Sequence, residues 1–163
     1  MAQDIYDRTV SYILENQNRF YRLAYSYVRS EDVALDVVQS AICKGLEKCF
    51  GLKNPEALGT WFYRIVVNEA LQYLRKSRKE SVSPDGELPE QAYHEPAYER
   101  QREVYEEVMR LAEPMKTVVV LHFYEGLTLK QISEVTDTNL NTVKSRLYSA
   151  LNRLEKGLKE AAI

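Results

Sequence analysis

Residues 127–154 read LTLKQISEVTDTNLNTVKSRLYSALNRL, two runs of helical hydrophobic period on either side of a short polar break. The first run places Leu129, Ile132 and Val135 three apart, and Thr136, Asp137 and Thr138 supply turn and capping chemistry, with Thr138 the expected N-cap. The second run repeats Leu140, Val143, Leu147, Leu151, Leu154 and Leu158, leaving Asn141, Thr142, Lys144, Ser145, Tyr148 and Ser149 on other faces. This is the layout of a helix-turn-helix, whose second helix lies in the major groove while its apolar stripe packs on the first. Asn141 suits adenine, Lys144 a guanine edge or a phosphate, and Tyr148 a thymine methyl. The alternative is an ordinary helical hairpin with a solvated polar face, an arrangement common in all-helical folds.

With 163 residues, 45% of them hydrophobic, the chain has material for one medium domain or two small ones. Its net charge of −2 is unevenly spread. Residues 1–79 carry 12 basic against 9 acidic residues, 80–103 carry 2 against 7, and 104–163 carry 8 against 8. A near-neutral total is weak for a protein that holds DNA alone, because non-specific affinity comes largely from phosphate neutralisation. Another partner is expected to supply affinity.

MAQDIYDRTV lacks the basic start and apolar run of a signal peptide, and no membrane-length apolar stretch occurs, so a soluble, cytoplasmic protein is expected. Cys43 and Cys49 fall within one expected helix, six apart and on different faces, which suits reduced, partly buried thiols. With only two histidines, His94 and His122, there is little material for a metal or catalytic cluster. No paired acid and base, phosphate-binding glycine loop or metal set stands out, so no enzyme, cofactor, metal or small-molecule substrate is expected. The 12 tyrosines are read as helix packing.

Along the chain, a first helix is expected over Ser11–Val28, with Phe20, Leu23, Ala24 and Tyr27 on one face. Ser30 can cap a second over Glu31–Cys49, whose stripe is Ala34, Val37, Val38, Ala41, Ile42, Gly45 and Leu46, with Asp36 and Gln39 beside it. Phe50–Thr60 reads as a loop and Trp61–Arg78 as a third helix. Residues 81–97 have linker composition, with three prolines, a glycine and several acids. Tyr98–Ala112 and Met115–Tyr124 follow as helices, the second ending at Gly126. The fold class is therefore all-α, two small helical domains (1–79 and 99–163) joined by an acidic flexible linker (80–98).

The third helix carries a second constellation. Trp61, Arg64, Asn68, Gln72 and Arg75 share one face, opposite Phe62, Ile65, Val66, Tyr73 and Leu74. Aromatic stacking, phosphate tracking and an amide at a base edge together suit single-stranded nucleic acid. The alternative places Trp61 in the core and leaves the arginines solvated.

These segments carry a resemblance. FYRLAYSYVRSEDVALDVVQSAICKGLEKC, GTWFYRIVVNEALQYLRKSRK and LAEPMKTVVVLHFYEGLTLKQISEVTDTNLNTVKSRLYSAL, in that order around an acidic linker, are similar to a group IV (extracytoplasmic function) sigma factor of bacterial RNA polymerase. The likeness runs from about Phe20 to Leu158 and rests on DVVQ, TWFYRIVVN, EGL and TVKSRL in combination. It implies a non-enzymatic promoter reader that binds core RNA polymerase through the β′ clamp helices and β flap and opens promoter DNA. By matching position, Asp36, Val37, Val38 and Gln39 are implied in polymerase binding, with Asp36 and Gln39 as the polar contacts. Trp61, Arg64, Asn68 and Arg75 are implied at the −10 element, beside a flipped-base pocket formed by Phe50–Thr60. Asn141, Lys144, Ser145, Tyr148, Ser149 and His122 are implied at the −35 element. An anti-sigma factor, in many relatives membrane-spanning, is the implied regulator.

The chain departs from the family pattern at Ser40, where an acid is usual, and at His122, where arginine is common. Asp137, Asn139 and Asn141 replace the usual glycine, proline and glycine, and base preference at −35 is expected to differ accordingly. A competing reading is a stand-alone helix-turn-helix regulator that binds palindromic duplex DNA as a dimer.

Overall fold

In a computed structural model of the chain, residues 2–80 and 99–161 are described, with side chains at 3–77 and 102–160. Seven α-helices form, with no strand among the described residues: α1 (Ala2–Val28), α2 (Glu31–Lys48), α3 (Leu58–Glu80), α4 (Glu99–Arg110), α5 (Glu113–Val119), α6 (Leu129–Thr136) and α7 (Leu140–Ala161). The chain falls into two compact units, one built from α1 to α3 and the other from α4 to α7. The expected linker lies almost wholly outside the described residues.

In the first unit α1, α2 and α3 pack mutually. Phe20, Leu23, Ala24 and Tyr27 are buried, as their spacing requires. The helix itself starts at Ala2 rather than Ser11. Its extra turns are supported by two contacts: the Thr9 hydroxyl donates to the Ile5 carbonyl at 2.7 Å and the Tyr6 ring stacks on Phe50. Ser30 caps α2, its hydroxyl accepting from the Val33 amide at 3.4 Å. Phe50–Thr60 is less open than expected, since it contains two short 3₁₀ turns (Cys49–Gly51 and Pro55–Ala57) and α3 begins within it at Leu58.

The core of this unit is aromatic. The Phe20 and Phe62 rings meet edge to face at 4.7 Å, and Tyr63 and Tyr12 close around them. Tyr63, Val67 and Ala70 are buried on α3, whereas Tyr73, expected inside, is 37% exposed. Cys43 is exposed rather than partly buried, since it points away from the stripe of Ala41 and Gly45. Cys49 is buried, its thiol directed at the Leu46 carbonyl.

In the second unit α7 packs on α4, α5 and α6. The run VVVLHF is helical despite its β-prone composition, with Val118 to Leu121 buried. It is not one continuous α-helix: after Val119 the chain widens into a π turn over Val120–Tyr124. The Glu125 amide reaches back to the Val120 carbonyl at 3.1 Å, and Gly126, at φ +72°, turns the chain toward α6. Partial burial pushes the Tyr124 phenol above its ordinary range.

At Gly45 α3 comes close to α2, since a Cβ built there would lie 2.7 Å from a Phe62 ring carbon. Gly45→Ala should therefore destabilise the protein by about 1–3 kcal/mol through overpacking, read as a lower urea midpoint of the first transition.

Candidate nucleic-acid and polymerase interfaces

The turn between α6 and α7 shows how the motif is built. Thr128 caps α6: its hydroxyl accepts from the Gln131 amide at 3.1 Å, and the Gln131 side chain accepts from the Thr128 amide at 2.9 Å. This capping box was legible as T-L-K-Q but passed over by the apolar pattern. Asp137 then takes the left-handed conformation, φ 49°, at the position where the family usually has glycine. Thr138 is not the cap of α7. Its hydroxyl donates to the Thr136 carbonyl, whereas the Asn139 side chain accepts from the Asn141 amide at 2.8 Å and the Asn139 carbonyl accepts from Val143. The left-handed residue shifts the helix start by one position.

From that start, Val143, Leu147, Ala150 and Leu154 face inward. Leu140 and Leu151, expected in the stripe, are more than a third exposed because they sit at its edge. Asn141, Lys144, Ser145, Tyr148 and Ser149 all point to solvent, Tyr148 at 66% exposure, and Thr142 is partly covered. His122 is held differently. Its Nδ1 lies 2.8 Å from the Leu127 carbonyl oxygen, which can only accept, so Nδ1 carries the proton and the ring braces the turn into α6.

On α3, Arg64, Asn68, Gln72 and Arg75 are exposed along one face and Trp61 is partly buried at its start. Phe62, Val66 and Val67 are buried on the opposite side. The tryptophan is thus neither fully buried in the core nor fully exposed.

On α2, Asp36 and Gln39 are exposed, but Val37 and Val38 are 5% and 7% exposed and belong to the core. Four consecutive residues of a helix span its whole circumference, so they cannot share one contact face. Leu35, half exposed beside Asp36, lies on the outer side instead and was overlooked as an apolar residue outside the main stripe. Burial, together with Glu31, Tyr25 and Asp32 nearby, raises the pKa of Tyr21.

Among the described residues no group of three or more His, Cys, Asp or Glu side chains could hold a metal, and no helix is long and apolar enough to cross a membrane. The geometry is that of a two-part helical protein with one helix-turn-helix unit and one three-helix unit. Residues 12–80 match Sigma-70 region 2 and residues 100–154 match Sigma-70, region 4. The chain is 39% identical over 142 residues to RNA polymerase sigma factor SigV of Bacillus subtilis, covering 87% of this chain and 86% of that protein. It is 30% identical to the ECF RNA polymerase sigma-E factor of Haemophilus influenzae, covering 85% and 81%. Its fold is similar to that of the sigma factor RpoE in complex with the anti-sigma factor NepR from Bartonella quintana, with a TM-score of 0.79 at 24% identity, over 91% of this chain and 95% of that one. CnrH in complex with the cytosolic domain of CnrY gives a TM-score of 0.70 at 16% identity, over 98% and 97%. The chain belongs to the sigma-70 family, in its extracytoplasmic function group. It is a sigma factor, directing promoter-specific transcription initiation by RNA polymerase. The stand-alone regulator reading is set aside on the presence of both sigma regions.

Asn139→Ala should cost about 0.5–2 kcal/mol of stability in the second unit, as loss of an N-cap does, while Thr138→Ala should cost clearly less. Thermal unfolding of the two variants measures the difference; equal losses would remove Asn139 as the cap.

Proposed function

We propose that this sigma factor reads its promoter at two points, with residues 1–79 serving core polymerase and the −10 element and residues 99–163 the −35 element. The observation that supports this best is that each unit turns one polar face suited to DNA outward while burying the stripe beside it. On α7, Asn141, Lys144, Ser145, Tyr148 and Ser149 would enter the major groove, Lys144 at a guanine edge or phosphate and Tyr148 against a thymine methyl. His122, occupied through Nδ1, has only Nε2 to offer DNA. On α3, Trp61, Arg64, Asn68 and Arg75 would hold the non-template strand once its bases are unstacked, Phe50–Thr60 taking a flipped base.

Polymerase docking is assigned to the outer face of α2, with Asp36 and Gln39 as polar contacts on the β′ clamp helices and Leu35 as an apolar one. Val37 and Val38 act there only by fixing the helix against the core. The second unit would meet the β flap. No catalysis, cofactor or small-molecule substrate is assigned to this chain, and its place of action is the cytoplasm. An anti-sigma factor, membrane-anchored or soluble, is the proposed regulator; the structural neighbour RpoE is bound by one, NepR.

Run-off transcription with purified core polymerase on a random promoter library should yield defined start sites preceded by enriched −10 and −35 motifs. The absence of specific starts would overturn the reading. Lys144→Ala should weaken −35 recognition by about 1–3 kcal/mol, the worth of one base-edge contact, without altering the melting temperature. Asn68→Ala should impair promoter opening while core binding, measured by fluorescence competition, stays at the native level.

A further inference from the structure

Lys44 on α2 and Glu69 on α3 form an ion pair between helices, 25 residues apart in sequence. Arg102–Glu106, Arg110–Glu107 and Lys159–Glu155, by contrast, each lie within one helix and add only local support. The Glu69 side chain is 14% exposed and that of Lys44 43%, so the carboxylate has given up most of its water. An apolar pair of similar volume would hold two helices together as well or better. What a charged pair adds is direction, because it is satisfied in one mutual placement of the helices.

The next residue on α2, Gly45, carries the Phe62 ring. Phe62 and Glu69 are seven residues apart, about two turns, and so share the α2-facing side of α3. The ion pair adds a directional contact two turns along from that ring, beside the buried Val66, Val67 and Ala70. Asn68 precedes Glu69, about 100° around the helix, and is exposed. Glu69, together with the buried Phe62 and Val66, fixes the rotation of α3 about its axis and with it where Asn68 and Arg64 point.

We propose that the Lys44–Glu69 pair is a positioning strut that holds the strand-reading face of α3 in register with the polymerase-docking face of α2. Docking of α2 on polymerase then delivers Asn68 and Arg64 to the opening strand in one geometry. The inference rests on the assignment of those two faces given above.

The test uses the full chain with core polymerase on a promoter recovered from the library. Opening is read by permanganate reactivity of unpaired thymines and core affinity by fluorescence competition. Lys44→Met and Glu69→Gln should each lower opening about tenfold while core affinity stays within about twofold. The exchange of Lys44→Glu with Glu69→Lys should recover most of the loss. Lys44→Met with Glu69→Leu, an apolar pair, should keep the native melting temperature yet open poorly. Native opening in the apolar pair, no recovery in the exchange, or single variants that lose core affinity would each overturn the strut. The face assignment fails separately, if Asp36→Lys retains core affinity and Asn68→Ala opens normally.

Discussion

The first unit depends on the fit of the Phe62 ring between Phe20 on α1 and the bare backbone of Gly45 on α2. An aromatic ring at the junction of three helices buries a large apolar surface, and close packing leaves it little freedom to move. Once Phe62 and Val66 face inward, the helical period forces Arg64 and Asn68 outward. The same packing decides the outer side of α2: Val37 and Val38 are drawn into the core, and Asp36 and Gln39 are left exposed. A core contact thereby sets the direction of both exposed faces.

The second unit reaches its reading face by a different device. Val118 to Leu121 anchor the unit, and the π turn, Gly126 and the His122 to Leu127 bond lead the chain into α6. Asp137 then accepts a left-handed backbone that costs a non-glycine residue about 1 kcal/mol. The Asn139 cap and the buried Val143 and Leu147 offset that strain.

Much of this was legible in the chain. Where hydrophobic period is strong, as in Phe20 to Tyr27 or Ile132 to Val135, burial followed the pattern. The sequence reading failed where several local solutions compete. Thr136, Asp137, Thr138 and Asn139 can all cap or turn, and only the backbone dihedral of Asp137 selected Asn139. The first turns of α1 were missed because their support comes from a side-chain bond at Thr9 and a stack on Phe50, neither of which has a periodic signature. DVVQ, taken as a contiguous contact motif, divides between core and surface.

The amino-acid sequence by itself determined the helical class, the two-part organisation and the family, because period, capping residues and motif order are local and survive without knowledge of neighbours. Tertiary structure alone decided which residues of each helix remain available. Val37 and Val38 are covered by the core, Leu35 is half exposed, Tyr73 and Leu140 turn out to solvent, and Lys44 meets Glu69. The physical reason is that a helix offers its whole circumference in sequence, and only packing against particular neighbours determines which part is covered.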